Sequence, residues 1–367
     1  MQVMSFSRSK LLKWAILLLA VIGLTALTHF DTVFYQTPIA QVVRVKENDS
    51  HRTRDYFANE DRSATQQLTV KFLNTKRKNQ KITISNQYVA SEVLTQKYRV
   101  GQRLLLSHKK WWSIIGQKRD TFLVFTITLM LALTIGLTKK VSLRIIGSLG
   151  LNFIFFILAI LLDINFEDAP AVFIFAILTI VFAFITLLLV LGRRKQFVIV
   201  FLSTILSTAA GVGIGAITIA VNHASGIHFE YMDFITQFPI PLFYSELMIG
   251  VLGAAMDESS DITAMMFGMQ RERADRSFGE YFVSGMRVGR DIVGSLTNVL
   301  FMVFIANTLP MVFLYLRNGN TWSYTIDMTM MLGLLSTVIS AIGIVLTVPI
   351  TSWLSASLLS AEKRLAR

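Results

Sequence analysis

Residues 169–192 read APAVFIFAILTIVFAFITLLLVLG, and no charged side chain interrupts them. An α-helix needs about 20 such residues to cross the hydrocarbon of a bilayer. Comparable runs lie within residues 1–29 and at roughly 121–138, 141–162, 196–221, 237–257, 292–316 and 328–350. The chain is 53% hydrophobic and 16% charged, where a soluble protein carries about 25% charge. These features predict a polytopic α-helical membrane protein with about eight transmembrane helices. The first run follows a short basic opening, a shape shared with cleavable signal peptides. It ends without a clean small-x-small site, so an uncleaved first span is the better reading.

Residues 30–119 break the apolar pattern. QQLTVKFLNT places Leu68, Val70 and Phe72 on one side of a period-two alternation, and QKITISNQYVA continues it with Ile82 and Ile84. AQVVRVKEND and YRVGQRLLLS read as two further strands. The segment is therefore a small β-rich domain. Between Ala40 and Trp112 it holds fifteen Lys/Arg against six Asp/Glu. Its basic face reads first as a solvated surface, with anionic lipid or an acidic cell-wall polymer as the alternatives; the net charge of +12 for the whole chain reads as basic residues anchoring helix ends, and nucleic acid is not expected as a partner.

Short loops set the orientation. With the N-terminus inside, the inner segments carry Arg8, Lys10 and Lys13, then Lys139, Lys140 and Arg144, then Arg193, Arg194 and Lys195. Arg271, Arg273, Arg276, Arg287 and Arg290 follow, and Lys363, Arg364 and Arg367 close the chain. The outer loops DINFED and NHASGIHFEYMD are acidic or nearly so. This positive-inside pattern predicts a multi-pass protein with both termini cytoplasmic and residues 30–119 extracytoplasmic. The expected organisation is a helix at 1–29, the β domain at 30–119, seven helices at 120–360 and a tail at 361–367.

The sixth run ends in GAAMDESSDITAMMF, with Asp257, Glu258 and Asp261 inside five positions. Glu246 lies deeper in the run. Eleven residues separate Glu246 from Asp257, about 1100° of helix, so the two share a face that Asp261 extends if the helix continues. Gly250, Gly253 and Ala254 border that face and suit close helix contact. In the seventh run Asp291, Ser295 and Asn298 fall on one face. Arg287, four residues before Asp291, is placed for an intrahelical ion pair. Intramembrane carboxylates are costly and often line a pathway or bind an ion. This favours a polar transport track of Glu246, Asp257, Asp291, Ser295 and Asn298. The competing reading is structural pairing, because Asp257, Glu258, Asp261 and Asp291 lie near the inner boundary and only Glu246 lies deep. Asp257, Asp261 and Asp291 are weak candidates for holding a hard cation such as Mg²⁺ or Mn²⁺, although nothing fixes the ion.

Other features point less far. The glycines of AAGVGIG at 209–215 read as a packing device, and Gly285 and Gly289 form a G-x-x-x-G. His223, His228 and Glu230 share one outer loop, and Asp163, Glu167 and Asp168 another. The chain has no cysteine, which excludes thiol chemistry, and no Walker motif or serine elbow. No cofactor is expected beyond a bound cation.

GVLGAAMDESSDI at 250–262 and FVSGMRVGRDIVGSLTNVLFMVFIANTLPM at 282–311 resemble the signature of the YibE/F-like family of bacterial multi-spanning membrane proteins. The matching residues are Gly253, Ala254, Met256, Asp257, Gly285, Gly289, Arg290, Asp291, Gly294, Thr297 and Asn298. The sequence departs mildly at ESSD, where relatives are less acidic. The resemblance implies an outer domain after the first span, for which an OB-like barrel is one form. It also implies a bacterial cell-membrane location and a second, shorter homologous membrane subunit as partner beside the lipid bilayer. It assigns no biochemical role. The function expected first is a transporter or permease subunit moving a small cation or other small solute. The alternative is a structural or regulatory membrane component acting through its outer domain, and an intramembrane enzyme comes third.

Overall fold

The computed structural model describes residues 8–48, 50–54, 60–92, 95–108, 110–138, 142–165, 171–229, 239–273 and 276–365. The chain divides into two compact units, Met1–Ser142 and Leu143–Arg367. Among the described residues, eight helices are long and apolar enough to span a membrane, in keeping with a polytopic membrane protein.

In the first unit, α1 (Arg8–Phe30) and α2 (Asp120–Thr138) flank the β domain in sequence. They pack antiparallel: the Lys13 amine near the start of α1 donates to the Ile135 carbonyl near the end of α2 at 2.8 Å. The Trp14 ring lies against Gly136, where no side chain would fit. After a 3₁₀ turn, Asp31–Phe34, come β1 (Ile39–Glu47), β2 (His51–Arg54), β3 (Glu60–Phe72), β4 (Lys81–Val89), β5 (Arg103–His108) and β6 (Trp112–Gln117). They form an antiparallel half-barrel. β3 is its axis, pairing with β1, β2 and β4, while β1 continues through β5 to β6. The alternation seen in the sequence is the alternation of burial: Leu68, Val70, Phe72 and Ile84 enter one core with Val42, Leu104 and Leu106.

Two amides lock this sheet from inside. Gln66 is fully buried; its Nε2 donates to the Tyr98 carbonyl at 3.0 Å and its Oε1 accepts from the Tyr98 N–H at 3.0 Å. Asn74 accepts from the Ile39 N–H at 2.7 Å and donates to the Tyr35 and Thr37 carbonyls. Where the sheet meets the helices, Lys118 is 2% exposed. Its amine reaches the Thr28 carbonyl at 2.8 Å, and Asp31 and Asp120 at 2.6 Å each, beneath the Tyr35 ring. A buried ammonium is tolerable only when paired and hydrogen-bonded, and here its partners come from the end of α1 and the start of α2.

The second unit contains α3 (Ser142–Asn165), α4 (Ala171–Leu191), α5 (Lys195–Val221), α6 (Pro239–Glu272) and α7 (Phe278–Arg317). A short α8 (Trp322–Thr325) and a π turn, Ile326–Met330, lead into α9 (Met331–Leu365). α3 and α4 are joined by Asn152, which donates to the Thr186 hydroxyl at 2.7 Å. Glycines then set how closely the central helices approach. A Cβ on Gly211 of α5 would stand 2.8 Å from the Cα of Gly343 on α9, and one on Gly215 would strike Ile339. Gly285 and Gly289 of α7 lie against Ser352 and Val348 of α9, and Gly343 lies against Val251 of α6. α9 therefore contacts α5, α6 and α7, and Gly211 and Gly215 have the packing role expected of the AAGVGIG run.

Two helices run further than the apolar pattern. α6 continues fifteen residues past Asp257 to Glu272, and α7 begins at Phe278, well before its apolar run. The segment between the sixth and seventh spans is thus mostly helix. Ile262, Met266, Tyr281, Val348, Ala356 and Leu359 form a core of their own there, which supplies the burial that lipid contact does not. Ser277 caps α7 reciprocally: its hydroxyl accepts from the Glu280 N–H while Glu280 accepts from the Ser277 N–H at 2.6 Å. α7 passes through Pro310 without a break.

Candidate functional site

A helix turns about 100° per residue, and on α6 that step separates two neighbouring carboxylates. Glu246, Gly250, Gly253, Asp257 and Asp261 are exposed along one side. Phe243, Leu247, Val251, Ala255, Glu258, Ile262 and Met266 are buried along the other. The shared face expected of Glu246, Asp257 and Asp261 is present, and the continued helix does carry it to Asp261. It is an outward face within this chain: nothing stands within 4 Å of a Cβ added at Gly253. On α7, Asp291, Ser295 and Asn298 are also exposed. Ser295 and Asn298 line a shallow groove of about 430 Å³ with Val299, Met302, Val303 and Ala306. Arg287 and Asp291 do not pair, and no hydrogen bond or ion pair among the described residues links the α6 row to the α7 row.

Glu258 departs from the other acids that the sequence places near the inner boundary. It is fully buried, and neither carboxylate oxygen has a hydrogen-bond partner among the described residues. Its register with α9 follows from two contacts. Val251 abuts Gly343, and Met266 and Ser352 both lie against Gly285. Glu258 lies seven residues after Val251 and eight before Met266, so it falls at the level of Thr347 and Thr351. α5 reaches the same level, because the hydroxyls of Thr204 and Ser259 are 2.9 Å apart. α7 does too, through Gly289 against Val348.

The surroundings are rich in hydroxyls. Ser203, Ser207 and Thr347 spend theirs on carbonyls of their own helices. Those of Thr208, Thr263, Thr351, Ser352 and Ser355 are buried without a hydrogen-bond partner among the described residues. Buried polar atoms are nearly always bonded, so an unpartnered carboxylate in a bundle that also buries unpartnered hydroxyls needs a physical reason. A cation or proton at Glu258 supplies one. The sequence did contain a signal: seven residues from Val251 is about 700°, close to two full turns, which puts Glu258 on the stripe of Phe243, Leu247 and Val251.

The weaker candidates stay apart. His223 is exposed and His228 half-buried, while Glu230, Glu167 and Asp168 lie outside the described residues. Among the described residues no three or more His, Asp and Glu converge as ligands of a metal would.

The family model described as YibE/F-like protein matches residues 126–361, and the one described as YibE/F family N-terminal domain matches residues 33–117. No curated protein and no solved structure matches the chain.

Proposed function

We propose that this chain, which belongs to the YibE/F-like family, is a transporter or permease subunit that moves a small cation across the bacterial cell membrane. The observation that carries the reading is Glu258: a carboxylate with no exposure and no hydrogen-bond partner among the described residues, inside a helix bundle long enough to span a bilayer. A charge in such a place is expensive unless something neutralises it. A pathway residue that exchanges its ion meets that condition in turn from each side.

The outward carboxylates support the word subunit. Glu246, the deep one, is exposed near Gly250 and Gly253, and a charged side chain facing lipid at depth costs about 2.5–3.5 kcal/mol. A second, shorter homologous membrane protein covering this face would remove that cost. In this reading both termini are cytoplasmic and the β domain stands outside, as the basic inner loops suggest.

The test is flux in proteoliposomes, screening cations including protons, with wild type beside Glu258→Gln, Glu246→Gln and Asp291→Asn. Loss of flux in Glu258→Gln with the fold retained is the expected result. Equal flux in wild type and Glu258→Gln would remove Glu258 from the path. No flux of any cation, with or without the shorter subunit, would remove transport as the function.

A further inference from the structure

We infer that the ion held at Glu258 carries one positive charge, a sodium ion or a proton, and not two. This deepens the transport reading and rests on it only for the ion being moved. Among the described residues of the second unit, Glu258 is the only charged side chain that is buried. Asp257 and Asp261 on its own helix are exposed, as are Arg287, Arg290 and Asp291 on α7. The remaining titratable neighbour on α7 is the buried Tyr281 phenol. α4 has no titratable residue, α5 has only Lys195 at its start, and α9 has none between Met331 and Ala361.

One buried carboxylate balances one positive charge. A divalent ion would leave a net charge in surroundings of low polarity, which is strongly penalised. Hydroxyl oxygens are neutral, hard ligands: they complete the shell of a small hard cation without changing the count. Thr351 supplies one such oxygen, at the level of Glu258, wholly buried and without a hydrogen-bond partner among the described residues. Sodium and the proton then compete for the same carboxylate, because either one neutralises it.

The test needs no transport. The full chain in proteoliposomes is treated with dicyclohexylcarbodiimide, an apolar reagent that reaches buried carboxyls and attacks their protonated form. Modification is read residue by residue by peptide mass. Glu258 is expected to be modified increasingly as pH falls, because the reagent takes the protonated carboxyl. Loss of modification on adding sodium at fixed pH identifies a sodium site. Modification that follows pH alone identifies a proton site. Thr351→Val should weaken sodium protection roughly tenfold, or shift the pH midpoint of modification if the ion is a proton; no change in either would take the hydroxyl out of the site. Protection by magnesium or manganese but not sodium would overturn the single charge, and so would a Glu258 that is unmodified at every pH. Sodium-protected modification in a protein that shows no flux would leave the ion site standing and end the transport reading.

Discussion

The Tyr35 hydroxyl donates to Asp120 Oδ2 at 2.7 Å, beside the Lys118 amine. That bond, then burial, pushes the phenol from its ordinary 10.0 up to about 12. A group whose pKa is raised by folding stabilises the fold fully below its unfolded pKa, and the contribution is lost as pH rises through the folded one. Tyr35 therefore predicts a loss of stability between about pH 10 and about 12. Thermal melting of wild type and Tyr35→Phe across that range checks it: the variant should show a flatter decline, and identical slopes would place the titration elsewhere. Single positions also decide the other site. Asp257 and Glu258 are neighbours of similar chemistry, yet one is exposed and the other fully buried. The acidic cluster was plain in the sequence; which member enters the bundle depends on which face α9 covers.

At the scale of elements, small residues separate faces that pack from faces that do not. Gly211 and Gly343 let α5 and α9 touch backbone to backbone, whereas Gly253 faces open space within the chain. Gly211→Val should destabilise the second unit by about 1–3 kcal/mol through overpacking, and Gly253→Val by no more than roughly 0.5 kcal/mol in the isolated chain. Melting in detergent separates the two, and equal losses would contradict the assigned contacts. All eight spans were legible, since a run of about 20 apolar residues has few alternatives. The strands with clean alternation, β1, β3, β4 and β5, were legible as well. β2 and β6 were not. β2 is exposed at every position, so no pattern marks it. β6 begins at Trp112 after a polar turn and is defined by its pairing with β5. The inner extensions of α6 and α7 escaped for a related reason: they pack on one another and on the end of α9, through Met266, Tyr281 and Leu359, outside any spanning run.

At the scale of the molecule, the basic inner loops predict which parts can be reached from which side. Protease added outside intact cells should digest the 30–119 domain and leave a tag at Arg367 whole; loss of the tag would overturn the orientation. The sequence by itself determined that the chain is a multi-spanning membrane protein with a β domain after its first helix, because length, hydropathy and period-two alternation are local properties. It also determined that carboxylates gather near the end of the sixth span. Only the tertiary structure decided that Glu258, and not Glu246, is enclosed, and that unbonded hydroxyls from α5, α6 and α9 share its bundle. Burial is a relation between helices brought together by contacts such as Gly211 with Gly343, and no single segment contains that information.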